Sequence, residues 1–393
     1  MTRVEPGVDR LALLRGKIPG QRRVGLLCNN ATVDREYRGT VEALARQRGL
    51  RLVRIFSPQH GFAGEKQDNM IESGDGAHRA TGIPLVSLYG RVREPDPAML
   101  DGLDALLVDL PDVGTRVYTF LSTAVLCLQA CARAKLPVIV LDRPNPVGGQ
   151  VVEGPMLRPE FTSFVGLVPV PLRHGLSTGE YCLFAREALG LDVEVSVVRC
   201  RGWRRGVLFP GTGLPWIPPS PNLPTFEGAL LYPGMVLLEG TNLSEGRGTT
   251  RPFEVWGAPW LDAGTVGRLL APRLRRLGLR LRETAFRPTF HKFQDRTCRG
   301  FMLHPVEPDR VRAVAAGLAV LWAVRTAHPD RFAWKEPPYE YDFERPPIDL
   351  IAGTDELRLG IEAGTDPAEL ARSWRGALRS YLERRRPHLL YRS

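Results

Sequence analysis

Short apolar runs rich in β-branched residues alternate with helix-like segments through the first half of the sequence. The strand-like runs are RVGLLCNN, LRLVRIFSP, IPLVSLYG, DALLVDLPD, PVIVLDRPNP and VEVSVVRC, and the helix-like segments include YRGTVEALARQRG and TFLSTAVLCLQACARAK. Alternation of this kind is typical of strands buried on both faces by crossover helices. The sequence therefore predicts an α/β fold with a Rossmann-like, doubly wound and mostly parallel sheet.

The last third of the chain has a different pattern. Two further strands are predicted in ETAFRPTFHKFQ and CRGFMLHPVE, and two amphipathic helices in DRVRAVAAGLAVLWAVRTAH and DPAELARSWRGALRSYLERRR. A chain of 393 residues is too long for one compact core. We predict a Rossmann-like domain without a nucleotide site over residues 1–258, and a smaller C-terminal α+β domain over residues 259–393 that closes a cleft.

Charge and missing motifs narrow the classes of partner. The formal net charge is +10, and five of the 53 basic residues are lysines, so arginine dominates. Arginine binds carboxylates and phosphates through a planar fork, which favours an anionic ligand, although genomic composition with solvated surface charge also explains the bias. The basic runs lack the interleaved aromatic residues of a nucleic-acid site, and we expect no nucleic-acid partner.

Common cofactor and targeting signals are also missing from the sequence. The loop after the first predicted strand has no G-x-G-x-x-G, and neither a P-loop, a C-x-x-C pair nor H-E-x-x-H spacing occurs. We therefore expect no cofactor and no metal. The N-terminus has no apolar signal region and no run reaches about 20 apolar residues, so we expect a cytoplasmic protein without a membrane partner.

Polar loops follow the predicted strands, where doubly wound sheets bind their ligands. CNNATVD contains Asn30, and SPQHGFAGE contains Gln59, His60 and Glu65. Gln59 stands where an acid would be useful, because an amide neither gives nor takes a proton at ordinary pH. These loops are predicted to meet at one rim of the sheet.

Two more strand-end loops carry ionisable side chains. The loop VDLPDVGTRVYTF contains carboxylate, guanidinium and phenol side chains: Asp109, Asp112, Arg116 and Tyr118. Such a cluster suits ligand binding or acid–base catalysis. The alternative is that Asp109 or Asp112 caps the next helix. The loop LDRPNPVGG contains Asp142, Arg143 and Asn145, and its two prolines fix its shape, which suits ligand binding. The alternative is an internal ion pair between Asp142 and Arg143.

The segment EGTNLSEGRGTTRPFE has the highest density of polar residues. Its candidate ligand-binding side chains are Glu239, Asn242, Glu245, Arg247, Thr249 and Arg251. Bordering indoles at Trp216, Trp256 and Trp260 complete the composition of a sugar site, in which flat rings meet sugar faces. The alternative is a long surface loop stabilised by its own charges.

Taken together, the motifs resemble those of the NamZ-type exo-β-N-acetylmuramidases. The shared pattern runs from Val24 to about Tyr391 and includes SPxHGFxG, DxxDxGxRxYT, LDRPNPxGG, RHGxSxGE, PSPNxPT and EGTNxSEGRGTTxPFE. The resemblance implies release of N-acetylmuramic acid from the non-reducing ends of peptidoglycan fragments, in a cleft between two domains. It also implies substrate contacts from His174 and Asn222, and from an arginine facing the lactyl carboxylate: Arg116, Arg143, Arg247 or Arg251.

The sequence departs from this family at the opening motif. Relatives usually read SPEHG, with the glutamate as the suspected catalytic acid, whereas this chain has Gln59; Pro111 is a second departure. The acid that protonates the leaving oxygen could then be another residue: Glu65, Asp109, Asp112 or Glu245. His60 could assist it. Alternatively, Gln59 orients a substrate 2-acetamido group that acts as the nucleophile, or the protein binds muramyl sugars with weak or no hydrolysis. A nucleotide- or nucleic-acid-binding protein is a third class, which the missing glycine fingerprint disfavours.

Overall fold

A computed structural model describes residues 3–14, 16–68 and 70–393. The strands are β1 (Arg23–Leu27), β2 (Arg51–Ser57), β3 (Gly76–Ala77), β4 (Pro84–Ser87), β5 (Ala105–Val108), β6 (Val138–Leu141), β7 (Glu153–Met156), β8 (Pro171–Arg173), β9 (Val195–Val198), β10 (Val255–Ala258), β11 (Leu279–Phe286) and β12 (Cys298–Pro305). The α-helices are α1 (Thr40–Ala45), α2 (Pro97–Leu100), α3 (Thr119–Ala134), α4 (Thr178–Ala188), α5 (Phe226–Met235), α6 (Ala263–Arg276), α7 (Ala313–Ala327), α8 (Pro347–Ala352), α9 (Glu356–Glu362), α10 (Pro367–Ser373) and α11 (Arg375–Arg385).

The predicted parallel sheet is confirmed. Within the described residues, seven strands pair in the order β3-β4-β2-β1-β5-β6-β9, and the short edge strand β3 is antiparallel to β4. The chain runs outward from β1 through β2 and β4, then returns to continue from β5 on the other side of β1. This reversal is the topological switch point at which doubly wound sheets open a crevice beyond the carboxyl ends of their strands.

Burial explains why the central strands read as continuous apolar runs. Every residue of β5 and β6 is buried, since helices cover both faces of the sheet. Helix α3 packs on one face through Phe120, Ala124 and Leu128. Helix α4 begins with a capping box in which the Ser177 hydroxyl accepts from the Glu180 amide and the Glu180 carboxylate accepts from the Ser177 amide.

The C-terminal part contains the predicted antiparallel sheet. In the described part of the chain, its strand order is β10-β12-β11. Helix α6 packs against β11 and β12, and α7 packs against α6. Strand β11 ends at Phe286, so the segment after it, which the sequence pattern read as strand, is a loop with turns. Strand β10 lies before residue 259 yet pairs with β12. The boundary after residue 258 stays a prediction.

No helix in the described ranges has the length and apolar character needed to cross a bilayer. The cytoplasmic location stays a prediction.

Candidate active site

A polar cleft of about 390 Å³ lies where the sheet rim meets the C-terminal part of the chain. Its walls come from the loop after β2, the start of α3, and segments near residues 220, 239–253 and 340. The polar and aromatic lining residues are Gln59, His60, Tyr118, Thr119, Ser220, Asn222, Tyr232, Glu239, Arg247, Phe253, Tyr339 and Glu340.

Gln59 is buried and its amide orientation is fixed by three hydrogen bonds. The Thr119 hydroxyl donates to Gln59 Oε1 at 2.5 Å, while Gln59 Nε2 donates to the Tyr89 hydroxyl at 3.0 Å and to Glu340 Oε1 at 3.1 Å. Gln59 follows β2 and Tyr89 follows β4, and these two strands pair in parallel. The carboxyl ends of neighbouring strands therefore bring the two side chains together.

Glu340 is a cleft residue that the sequence patterns did not single out. Its Oε2 accepts a hydrogen bond from the Tyr89 hydroxyl at 2.7 Å, and its side chain is buried against Gln59. Burial raises the pKa of Glu340 despite the hydrogen bonds from Tyr89 and Gln59. The only sequence signal is the acid in the aromatic and proline-rich run PPYEYDFERPP, which follows no predicted strand.

Arg247 forms the charged side of the cleft. Its Nη2 donates to Glu239 Oε1 at 2.7 Å, and its Nε lies 3.5 Å from Glu245 Oε1. The Tyr339 hydroxyl donates to Glu239 Oε2 at 2.8 Å. Burial alone would lower the pKa of Arg247, but the two carboxylates raise it above its usual range. The guanidinium is therefore a permanent cation at the cleft.

Glu245 is a buried anion behind Arg247. Lys292 Nζ donates to its Oε2 at 3.0 Å, and His291 Nδ1 lies 3.3 Å from its Oε1. Burial opposes ionisation, yet Lys292, His291 and Arg247 hold the pKa of Glu245 well below its usual range. A carboxylate held in this way is a poor proton donor at neutral pH.

His60 lies on the cleft as a neutral imidazole. Its Nδ1 is 2.6 Å from the Lys66 carbonyl oxygen, so Nδ1 carries the proton and Nε2 is an acceptor. Burial lowers the pKa of His60 to about 4. Its φ of 72° places it in the left-handed region, which a histidine adopts only when the surrounding structure holds it there.

We expect the free energy of unfolding to fall by up to ~3 kcal/mol through His60 as the pH drops from 6.5 towards 4. The unfolded chain takes up a proton near the ordinary pKa, whereas the folded protein resists it until about pH 4. Denaturant titrations of the wild type and His60→Asn across this range measure the contribution. The half-buried His304 in β12 supplies the control variant His304→Asn, and an equal pH slope in wild type and His60→Asn would contradict the prediction.

Several other predicted residues lie inside the fold, away from the cleft. Asp109 is fully buried and binds the Arg143 fork, with Nε at 2.5 Å and Nη2 at 2.9 Å. The Asp142 carboxylate accepts from the Gly179 amide at 2.7 Å and the Ser177 hydroxyl at 2.8 Å. The internal ion pair of Arg143 is therefore with Asp109 and not with Asp142, the partner that the sequence suggested, while Asp142 binds the start of α4.

Arg116, Asn145 and His174 also have internal partners. Arg116 is buried and donates to backbone carbonyls, including Val170 O at 2.9 Å, and burial lowers its pKa to about 10. Asn145 Nδ2 donates to Leu176 O at 2.9 Å. His174 Nδ1 accepts from the Leu176 amide, and its Nε2 lies 3.3 Å from Asp112 Oδ2. Each of these side chains fixes loop structure behind the rim.

The remaining predicted residues lie on loops around the site. Asn222 lines the cleft and donates to Gln67 O at 2.5 Å, whereas Asn242 bonds the backbone of Arg331 and Ala333. The side chains outside the cleft lining include the exposed Asn30 and Glu65, the turn-forming Thr249, and Arg251, which is 47% exposed and pairs with Glu254.

A second cavity of about 540 Å³ lies beside the cleft. Asp112, Arg143 and Trp216 lie on its wall, but prolines and other apolar residues dominate it. Trp256 is buried in the core and Trp260 is half-buried beside it, so the rings that line the polar cleft are those of Tyr118, Tyr232, Phe253 and Tyr339. Among the described residues, no group of three or more His, Cys, Asp or Glu side chains forms a metal-binding cluster.

Comparisons with known proteins match the whole length of this chain. The family models described as the N-terminal and C-terminal parts of the exo-beta-N-acetylmuramidase NamZ match residues 24–227 and 230–391. The peptidoglycan beta-N-acetylmuramidase NamZ of Bacillus subtilis (strain 168) is 37% identical over 389 residues, which cover 99% of this chain and 92% of that protein. Two crystal structures of DUF1343 family proteins from Bacteroides fragilis NCTC 9343 have TM-scores of 0.89 and 0.78, at 29% and 27% identity, with full coverage of both chains in each comparison.

Proposed function

Because this chain belongs to the exo-beta-N-acetylmuramidase NamZ family, we propose that it is an exo-acting glycoside hydrolase that releases N-acetylmuramic acid from the non-reducing ends of peptidoglycan fragments. The cleft between the sheet rim and the C-terminal part is its active site. Gln59, His60, Tyr118, Asn222, Glu239 and Arg247 are the sequence-predicted residues that line this cleft.

The observation that carries the proposal is a pair of carboxyl groups in one cleft with unlike surroundings. Glu340 touches the neutral side chains of Gln59 and Tyr89, and burial raises its pKa. Glu239 is paired with Arg247 at 2.7 Å. Glycosidases commonly use one carboxyl group as an acid and a second, ionised one to stabilise or attack the sugar carbon.

Arg247 also fits the distinguishing feature of the substrate. N-acetylmuramic acid carries a lactyl carboxylate, and a guanidinium recognises a carboxylate through charge-assisted hydrogen bonds. Of the four candidate arginines, Arg247 is the one that lines the cleft. We therefore assign Arg247 to the lactyl carboxylate.

We expect the purified protein to release chromophore from a 4-nitrophenyl β-N-acetylmuramide and free N-acetylmuramic acid from the MurNAc–GlcNAc disaccharide. The corresponding N-acetylglucosaminide, which lacks the lactyl group, is the matched control and should react far more slowly. Chromatography of the products and a colour assay measure both reactions. The absence of release from both muramides would rule out the hydrolase proposal.

The second candidate is a muropeptide-binding protein with weak or no hydrolysis. It is favoured by Gln59, an amide at the position where relatives usually have a glutamate. Calorimetric titration with the disaccharide separates the two candidates, because tight binding without product identifies the binding protein.

A further inference from the structure

We propose that Glu340 is the proton donor of this cleft and that Gln59 is the residue that positions it. This inference rests on the proposed function, since a proton donor is needed only if a glycosidic bond is broken. It assigns the acid to a residue 281 positions from the loop in which the sequence motif placed it.

The hydrogen bonds around Glu340 define a carboxyl group with a fixed orientation. Gln59 Nε2 reaches Oε1 at 3.1 Å and the Tyr89 hydroxyl reaches Oε2 at 2.7 Å, while Gln59 Nε2 also bonds Tyr89 at 3.0 Å. Thr119 holds the other end of the Gln59 amide at 2.5 Å. The side chains of Gln59, Tyr89 and Glu340 therefore form a closed triangle, and Glu340 is its only carboxylic acid.

An amide at position 59 suits this arrangement better than a second acid would. Two carboxylates about 3 Å apart repel each other and share one proton, so neither titrates alone. Gln59 instead donates to Glu340 and adds no charge. A protonated carboxyl keeps acceptor capacity, so Glu340 can retain both hydrogen bonds while its O–H points to the cleft.

The charged groups that face Glu340 are distributed around the same cleft. Glu239 acts to raise its pKa and Arg247 to lower it, and burial outweighs both. Tyr89 and Tyr341 are neutral phenols beside it, and Arg93 lies over both of their rings at 4.3 Å from each centroid. His60 is neutral on the neighbouring wall. These surroundings keep a proton on Glu340 at a higher pH than on an exposed glutamate.

The reaction balances with Glu340 serving first as acid and then as base. Its carboxyl proton moves to the glycosidic oxygen, and the bond from C1 to that oxygen breaks with the electron pair going to the oxygen. Water then adds to C1, and the Glu340 carboxylate accepts the proton that this water loses. One bond is hydrolysed and the acid is restored.

The test is Glu340→Gln, which keeps the shape of the side chain but removes its transferable proton. We expect kcat/KM on the MurNAc–GlcNAc disaccharide to fall at least ~100-fold, with a much smaller loss of kcat/KM on the 4-nitrophenyl substrate, because nitrophenolate leaves without a proton. The value of kcat should fall on both substrates, since Glu340 also accepts the proton from water. The variant should also lose the alkaline limb of the kcat/KM profile. Glu344→Gln, at an exposed position in the same segment, is the control and should leave both rates unchanged.

The variant Gln59→Glu tests the assignment of Glu340 independently, because Glu340 itself is left in place. A second carboxyl group against Glu340 should move the alkaline limb to higher pH, because the pair holds its shared proton more tightly. The conservative variant Glu340→Asp should keep a pH limb but with a lower kcat.

The outcomes separate this inference from the proposed function. An active wild type whose Glu340→Gln variant keeps its rate on the disaccharide would overturn the inference and leave the function standing. An equal loss of kcat/KM on both substrates at an unchanged melting temperature would also overturn it, since that pattern marks a structural role. A wild type that releases nothing would overturn the hydrolase and the acid assignment together.

Discussion

Replacing Arg247 with methionine should lower the free energy of unfolding by about 3–5 kcal/mol and abolish muramidase activity. Arg247 is buried and reaches two buried carboxylates, Glu239 at 2.7 Å and Glu245 at 3.5 Å. Methionine fills part of the same volume but carries no charge. The variant therefore removes a cation from two anions that have already lost their water.

The loss of unfolding free energy in Arg247→Met comes from the buried carboxylates that are left without a cation. A second substitution that removes one of these charges measures this contribution. Adding Glu239→Gln to Arg247→Met should recover part of the lost stability, because the amide needs no cation. Urea denaturation of the wild type, both single variants and the double variant gives the coupling free energy.

Arg251→Met is the matched control for Arg247. Arg251 lies four residues further along the same segment, its side chain is 47% exposed, and its ion pair with Glu254 is 3.3 Å long. The Arg251 charge reaches solvent, and the buried Glu254 keeps its hydrogen bond from the Thr225 hydroxyl when Arg251 is removed, so this variant should lose much less stability than Arg247→Met. Equal losses of stability in the two arginine variants would show that burial of the arginine does not set the cost of removing it.

Gly234→Ala is expected to destabilise the fold by about 3 kcal/mol or more, through a clash between two helices. Gly234 lies in α5, where a methyl group would sit 1.7 Å from the carbonyl oxygen of Ala313 at the start of α7. Gly317 of α7 faces the same crossing, since a methyl group there would lie 2.3 Å from Gly234 O. Backbone meets backbone at this point, so neither side can yield by changing a rotamer.

Gly376→Ala provides the control for Gly234→Ala. Gly376 lies in α11, and a methyl group there meets open space. Alanine is the better helix former by about 1 kcal/mol, so this variant should be slightly more stable than the wild type. Thermal unfolding of the two variants measures the difference, and similar melting temperatures would show that α5 and α7 can move apart.

The sheet could be predicted from the sequence because its cause is local. Strands β5 and β6 are apolar along their whole length, and helical periodicity between them predicts the crossover α3. Doubly wound sheets bind ligands beyond the carboxyl ends of their strands, and this rule predicted a site at the rim of the sheet, where Gln59 follows β2. Tyr89 follows β4 at the same rim, yet an isolated tyrosine after a strand has no pattern that marks it.

Local patterns could not separate rim residues that face the cleft from those that face the interior. Asp109 and Arg143 follow strands just as Gln59 does, but each satisfies the other inside the fold. A carboxylate next to a strand end has the same sequence signature whether its partner is a substrate or an internal arginine. The partner depends on which distant segment packs there.

The sequence by itself determined the parallel sheet, the family motifs and the substitution of an amide at position 59, because each of these depends on residues close together in the chain. The tertiary structure alone decided that Glu340 meets Gln59. That contact joins residues 281 positions apart, and it forms because the C-terminal part of the chain folds back over the rim and buries the carboxyl group. Burial and a neutral partner, rather than any local motif, give Glu340 the raised pKa that suits a proton donor.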